Sequence, residues 1–289
     1  MRYRQASLGL MVGVALVALS QRAALAAPAD CLGTVCSVSA GGAVLAVDQF
    51  GEISLLSVNG SDQLFAEVLF VTPGVNSPMN PVTPTFIDFA YPITAATADD
   101  DANQITVVFS DALLSFTATY TLTAGPIGAT VDYTIVTQNL TATPTDLTIV
   151  DYIDWDLRDD FHNDTISFVA PNAMRTTGKN AVGAAIAVSG FDFEDVGACC
   201  VGALFGRLVD GHLGGGVGPV GPTDVSGAFQ NDITLAPNGS VTITRQLQAL
   251  VPALALAPAP ALSGAAIGLG LVVLSAVAAL ALRRRASGA

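Results

Sequence analysis

The stretch Leu114–Thr123 reads LSFTATYTLT, in which Phe116, Ala118, Tyr120 and Leu122 alternate with Ser115, Thr117, Thr119 and Thr121. Successive side chains of extended backbone point to opposite faces, so this period of two predicts a strand with one face buried. The run Ala129–Gln138 follows, with Val131, Tyr133 and Ile135 opposing Asp132 and Thr134. Gly125, Pro126 and Gly128 punctuate the first connection and Thr143-Pro144-Thr145 the next, so Leu114 to Leu157 reads as a meander of three long strands.

Working outward, strands are expected at Gly41–Val47, Ile53–Val58, Gln63–Val71, Ile105–Phe109, Asp164–Val169, Ala181–Val188, Ala203–Val209, Phe229–Leu235 and Ser240–Leu250. Asn238-Gly239 is a hairpin-turn dipeptide between the last two. No ten-residue window carries a helical stripe. The fold class expected is all-β, a two-sheet antiparallel sandwich of about a dozen strands over residues 27–251.

The two ends set the compartment. Arg2 and Arg4, the apolar run Leu8–Leu19 and Ala24-Leu25-Ala26 read as a secretory signal peptide over residues 1–26. At the other end, a Pro/Ala-rich linker (252–263) leads into an apolar segment (264–282) and a basic tail (283–289). Ala265–Leu282 would span about 27 Å as a helix, enough for a bilayer core. Arg283, Arg284 and Arg285 then stop transfer and stay on the cytoplasmic side, placing the body of the chain outside.

The order of that tail resembles the tripartite sorting signals of the PEP-CTERM family of Gram-negative bacteria. The residues that carry the resemblance are the lead-in Pro258 and Pro260, the motif Pro260, Ala261, Leu262, Ser263 and Gly264, the small-residue-rich span and the arginines. Pro258-Ala259-Pro260 stands where the family has Pro-Glu-Pro. The resemblance implies an exosortase-type sorting peptidase as partner, cleavage near the motif, and a product released or kept at the surface. Without cleavage, the one C-terminal helix is a membrane anchor. The last two strands also look like the closing hairpin of secreted β-sandwich proteins associated with that family.

Of the 24 acidic residues, 21 are Asp and three are Glu, and all lie between Asp30 and Asp232. Only four basic residues share that region, Arg158, Arg175, Lys179 and Arg207, with Arg245 just beyond it, so it is far more acidic than the whole-chain net charge of −13 suggests. Such a field repels polyanions, which excludes nucleic acid as a partner, and favours cations. Four cysteines in an exported chain imply disulfides. Neighbouring cysteines pair poorly, so Cys31 and Cys36 are expected to be stapled to Cys199 and Cys200 by two bridges, with a local Cys31–Cys36 bridge as the alternative.

The stretch Asp151–Asp164, DYIDWDLRDDFHND, holds six Asp, one of two His and the only Trp. As a strand it sends Ile153, Trp155 and Leu157 one way and Tyr152, Asp154, Asp156 and Arg158 the other. Three readings follow. The first is a buried Trp behind a solvated acidic face. The second is a calcium site on loop oxygens of Asp159, Asp160, Asn163 and Asp164. The third is a glycosidase carboxylate pair, Asp154 with Asp156. Asp192, Glu194 and Asp195 form a smaller cluster with the same solvated reading.

Gly216–Gly221 fits G-x-G-x-x-G but contains Pro219 and opens no helix, which argues against a dinucleotide site. No G-x-S-x-G or H-E-x-x-H occurs. With no catalytic residue singled out, the expected function is non-catalytic: a structural or adhesive protein of the envelope or extracellular matrix, and no enzyme. The alternative is a carbohydrate-binding or carbohydrate-hydrolysing sandwich with a calcium-stabilised acidic loop and an extracellular polysaccharide as partner.

Overall fold

The computed structural model describes residues 27–73, 85–199, 213–216 and 218–251. The expected signal peptide, linker, span, basic tail and strand Ala203–Val209 lie outside these residues. Among the described residues no helix is long and apolar enough to cross a membrane.

The strands in chain order are β1 (Ala29–Asp30), β2 (Cys36–Ala40), β3 (Ala43–Val47), β4 (Ile53–Val58), β5 (Ser61–Asp62), β6 (Ala66–Pro73), β7 (Thr85–Phe86), β8 (Ile93–Asp99), β9 (Gln104–Ser110), β10 (Leu114–Gly125), β11 (Gly128–Asn139), β12 (Thr145–Trp155), β13 (Asp164–Val169), β14 (Ala173–Gly178), β15 (Ala181–Ala187), β16 (Phe193–Ala198), β17 (Val220–Thr223), β18 (Val225–Leu235) and β19 (Ser240–Leu250), with one short helix, α1 (Ile87–Ala90), after β7. They form two antiparallel sheets packed face to face. The ten-stranded sheet runs β1-β8-β9-β10-β11-β19-β15-β14-β13-β17. The nine-stranded sheet runs β16-β18-β12-β6-β4-β3-β2, with β5 beside β4 and β7 beside β6. The all-β, two-sheet expectation holds, and the strand count exceeds the expected dozen because β1, β5, β7 and β17 are edge pieces of two to four residues.

The hairpin β10–β11 forms as the alternation predicts, in register from Leu114↔Asn139 to Gly125↔Gly128. Every second residue from Leu114 to Leu122 is buried, and the intervening Ser and Thr side chains are partly exposed. The expected third strand of that meander does not join it. Strand β12 crosses to the other sheet, between β18 and β6, and β19 takes the place beside β11. Burial explains the crossing: from Leu147 to Trp155 every residue of β12 is buried, so it needs cover on both faces, which the centre of the nine-stranded sheet supplies.

The closing hairpin is corrected for the same reason. Strand β18, mostly buried on both faces, pairs with β12 and β16, while β19 pairs with β11 and β15. The turn at Asn238-Gly239 is therefore an arch between sheets. Asn238 adopts a left-handed φ of 52°, as the dipeptide suggested, but turn chemistry is local and does not choose the sheet in which the next strand pairs.

Cys31 and Cys36 are bonded to each other, with Cα atoms 5.5 Å apart, so the two-bridge staple is overturned in favour of the local alternative. The turn that closes this bridge is held by Thr34, whose backbone N–H and hydroxyl both donate to the Cys31 carbonyl. Cys199 is also disulfide-bonded, to a residue outside those described.

Candidate functional site

Two groups of carboxylates flank β12, one on each face. On the inner face Asp151 meets Arg245 of β19, Nε 3.3 Å from Oδ2, and accepts a short hydrogen bond from the Tyr133 hydroxyl. Arg245 also donates to the Gly190 carbonyl and to Asn231 and lies over the Phe229 ring at 5.2 Å. Glu67 of β6 sits diagonally across from Asp151. Burial, and then the Asp151 charge, push its carboxyl well above the usual range, which keeps it protonated. Burial raises Asp151 too, while Arg245 and Tyr133 pull it back. This group is sealed between the sheets and acts as an interior charge clamp.

On the outer face the sandwich opens. Tyr152 and Asp154 point there, and Asp154 and Asp156 line a cavity of about 270 Å³ together with Phe65, Phe161, Cys199 and Asp224. Backbone contacts bring these segments together. The Phe65 N–H donates to the Asp154 carbonyl, and the Cys199 N–H donates to the Asp224 carbonyl. Left-handed backbone at Arg158 and Asp159 turns the chain after β12, and the Asp159 N–H bonds to the carbonyls of both Asp156 and Asp62. Phe161 returns to the cavity rim from that turn. Phe65 is 64 % exposed and Phe161 45 %.

Asp154 is 5 % exposed. Its Oδ2 accepts from the Tyr152 hydroxyl at 3.3 Å and lies 3.2 Å from Cys199 Sγ, while its Oδ1 has no hydrogen-bond partner. Cys199 is disulfide-bonded and carries no thiol proton, so the sulfur sits best against an uncharged carboxyl. Burial, followed by the charges of Asp224 and Asp156, pushes the Asp154 carboxyl up to about 7. Asp156 is raised to about 6 by burial and then by Asp224 and three further Asp side chains. Burial raises Asp224 as well, with His162 drawing it back down. The first reading of the acidic stretch holds for Trp155, which is buried, and is corrected for Asp154 and Asp156, whose like charges oppose one another in a low-dielectric recess.

Ligand atoms of Asp154, Cys199 and Asp224 lie within 4.8 Å of one another, an acidic group that could hold a metal ion. The disulfide removes the thiolate that would coordinate a soft ion, and a hard ion would find two carboxylates where calcium takes six to eight oxygens. Of the four loop residues expected to ligate calcium, Asp160 and Asn163 are brought together by hydrogen bonds of 3.2 Å, and Lys179 approaches Asp160 at 3.7 Å. Asp159 accepts from the Asp62 N–H, and Asp164 is buried with Oδ2 accepting from the Leu157 N–H. Asp192 accepts from the Asp232 N–H and Asp195 from the Gly214 N–H. Asp224 was missed by sequence reasoning because it lies 70 residues from Asp154 and stands alone between β17 and β18.

No protein-family model matches the chain, and no curated protein matches it. Among solved structures, a bacterial glucoamylase complexed with acarbose superposes over 77 % of this chain at 9 % identity and a TM-score of 0.54. The chain spans 32 % of that glucoamylase, so the likeness is to part of it and shows a shared fold. A putative aldose 1-epimerase from Escherichia coli K12 overlaps 75 % of this chain and 98 % of its own at 12 % identity and a TM-score of 0.47. A galactose mutarotase-like protein from Lactobacillus casei overlaps 74 % and 99 % at 8 % identity and a TM-score of 0.46. The expectation of a non-catalytic structural or adhesive protein, and of no enzyme, is corrected here: the fold is one that a sugar-processing enzyme carries, and the outer face of β12 holds a recessed carboxylate pair rather than a solvated charge run.

Proposed function

We propose that this chain is an exported carbohydrate-active protein that binds a saccharide in the outer-face cleft and cleaves it by acid–base chemistry between Asp154 and Asp224. The observation that carries the reading is that pair: two carboxyl groups whose oxygens lie within 4.8 Å, in a recess rimmed by two exposed phenylalanines. Retaining glycosidases hold their two carboxyls about 5 to 5.5 Å apart. Asp154, neutral up to about 7, is the acid: its carboxyl lines the cavity and protonates the glycosidic oxygen as the bond to the anomeric carbon breaks. Asp224, the less buried of the two, is the nucleophile that forms a bond to that carbon. Water, deprotonated by Asp154, then releases the sugar from Asp224 and restores both groups.

The likeness of fold to a glucoamylase supports this reading at the level of architecture. The signal peptide and PEP-CTERM-like tail support an extracellular polysaccharide as target, with an exosortase-type peptidase acting on the tail. The test is reducing-end release by the purified full chain from a panel of polysaccharides, with product configuration followed by NMR. Cleavage with retention that is lost in both Asp154→Asn and Asp224→Asn supports the reading. A chain that releases no reducing ends from any member of the panel, or cleaves equally well in both variants, overturns it.

A further inference from the structure

We propose that the cleft selects an amino-bearing saccharide, a hexosamine unit whose ammonium lodges against Asp156 and Asp224 while its ring packs on Phe65 and Phe161. The inference rests on the carbohydrate reading of the same cleft and adds the substrate class.

The argument begins with charge. Asp154, Asp156 and Asp224 line the cavity, and among the described residues no Lys or Arg lines it with them. Lys179 is turned to Asp160, and Arg245 is on the inner side of the sheet. Burial and then the charges of neighbouring Asp side chains hold up both Asp154 and Asp156, so the recess carries like-charge repulsion that His162 relieves only at Asp224. Asp154 is 5 % exposed, and among the described residues only the Tyr152 hydroxyl donates to its carboxyl. A neutral sugar brings hydroxyl donors but no charge, and a uronic acid adds to the repulsion. A sugar ammonium brings three donors and a positive charge into a partly desolvated site, where charge-assisted hydrogen bonds are strongest.

Aromatic geometry points the same way. Phe65 and Phe161 present large exposed faces at the cavity, and an aromatic face attracts both the C–H side of a pyranose and a nearby cation. A bare divalent ion would use neither ring and would lack the oxygens it needs.

The experiment is calorimetric titration of the purified full chain with β-1,4-linked tetramers of glucosamine, N-acetylglucosamine and glucose, at about pH 6.5, where a large share of the sugar amine is protonated. The glucosamine tetramer is expected to bind about tenfold tighter than the other two, and Asp156→Asn to erase that preference with an unchanged circular dichroism spectrum, which shows the variant folded. Equal or weaker binding of the glucosamine tetramer overturns the inference and leaves the carbohydrate reading standing. A preference that survives Asp156→Asn overturns the placement of the ammonium. Failure of all three tetramers to bind, or a rise in melting temperature with calcium alone, overturns the inference together with the sugar site.

Discussion

Arg245 Nε lies 3.3 Å from Asp151 Oδ2, and both side chains are sealed between the two sheets, where β19 of one faces β12 of the other. Glu67 stands beside them with its carboxyl raised well above the usual range, and Arg245 is the cation that draws Asp151 back towards its charged form against the effect of burial. Removing one partner of a buried pair strands the other, which costs about 3 to 5 kcal/mol. Arg245→Met is expected to destabilise by that amount in urea unfolding, and the double variant Arg245→Met with Asp151→Leu to recover at least half of it. A single variant within about 1 kcal/mol of the parent would show that Asp151 simply takes up a proton.

Asn139 is the tie between the two arches. Its amide donates to the carbonyls of Thr143 and Ala236, 2.7 and 3.1 Å away, and its carbonyl accepts from the backbone N–H and hydroxyl of Thr141. One side chain thus satisfies the β11–β12 connection and the β18–β19 connection. Asn139→Ala leaves several buried groups unmet and is expected to lower stability by about 2 to 4 kcal/mol, with Asn139→Asp costing less because the acceptor survives. The urea midpoints of the two variants check the order.

These arches mark where the sequence stops being legible. The alternation of Leu114–Thr123 reports directly on one buried face, and the β10–β11 hairpin follows from it. In β12 both faces are buried, so the period of two vanishes, and a strand at the centre of a sheet reads like a continuation of the meander. The acidic stretch was visible as composition, but whether its carboxylates were solvated depended on β6, β16 and β18, which are distant in sequence. Asp224, Glu67 and Arg245 had no local signal at all. Cys31–Cys36 was the simpler pairing, and it turned on a local turn that spacing alone does not reveal.

Trp155 packs flat against β15 at Gly183. A methyl group there would meet the indole ring at 2.6 to 2.8 Å, closer than real contacts allow. Gly183→Ala is therefore expected to displace the ring and cost about 1 to 3 kcal/mol. Trp155 is the only tryptophan, so its emission reports the displacement without labels. An unshifted spectrum and unchanged stability would mean that β15 moves away freely.

Stability should fall as pH rises. Asp154 and Glu52 are raised to about 7, and Asp156 and Asp164 to about 6, each chiefly by burial. A carboxyl raised in the folded state binds its proton more tightly there than in the unfolded chain. Its contribution is full below the unfolded value and is lost as pH climbs through the folded one. The loss runs from about pH 4 to about pH 7 and then levels off. Calorimetry is expected to give a melting temperature at pH 5 at least about 4 °C above that at pH 8. The opposite order would require these acids to be ionised and stabilised in the fold.

The same elevations set the pH profile that the proposed reaction requires. If Asp154 is the acid, kcat must fall as pH rises through about 7, because the ionised carboxyl has no proton for the leaving oxygen. Part of that elevation comes from the Asp156 charge, which disfavours a second negative charge nearby. Asp156→Asn removes the charge and keeps the shape, so the alkaline limb of kcat should move to lower pH by roughly half a unit to one unit. Burial, the largest cause, remains, so the limb should not fall to the ordinary carboxylate range. A limb that stays in place in Asp156→Asn, or moves to higher pH, assigns the titrating group to some residue other than Asp154.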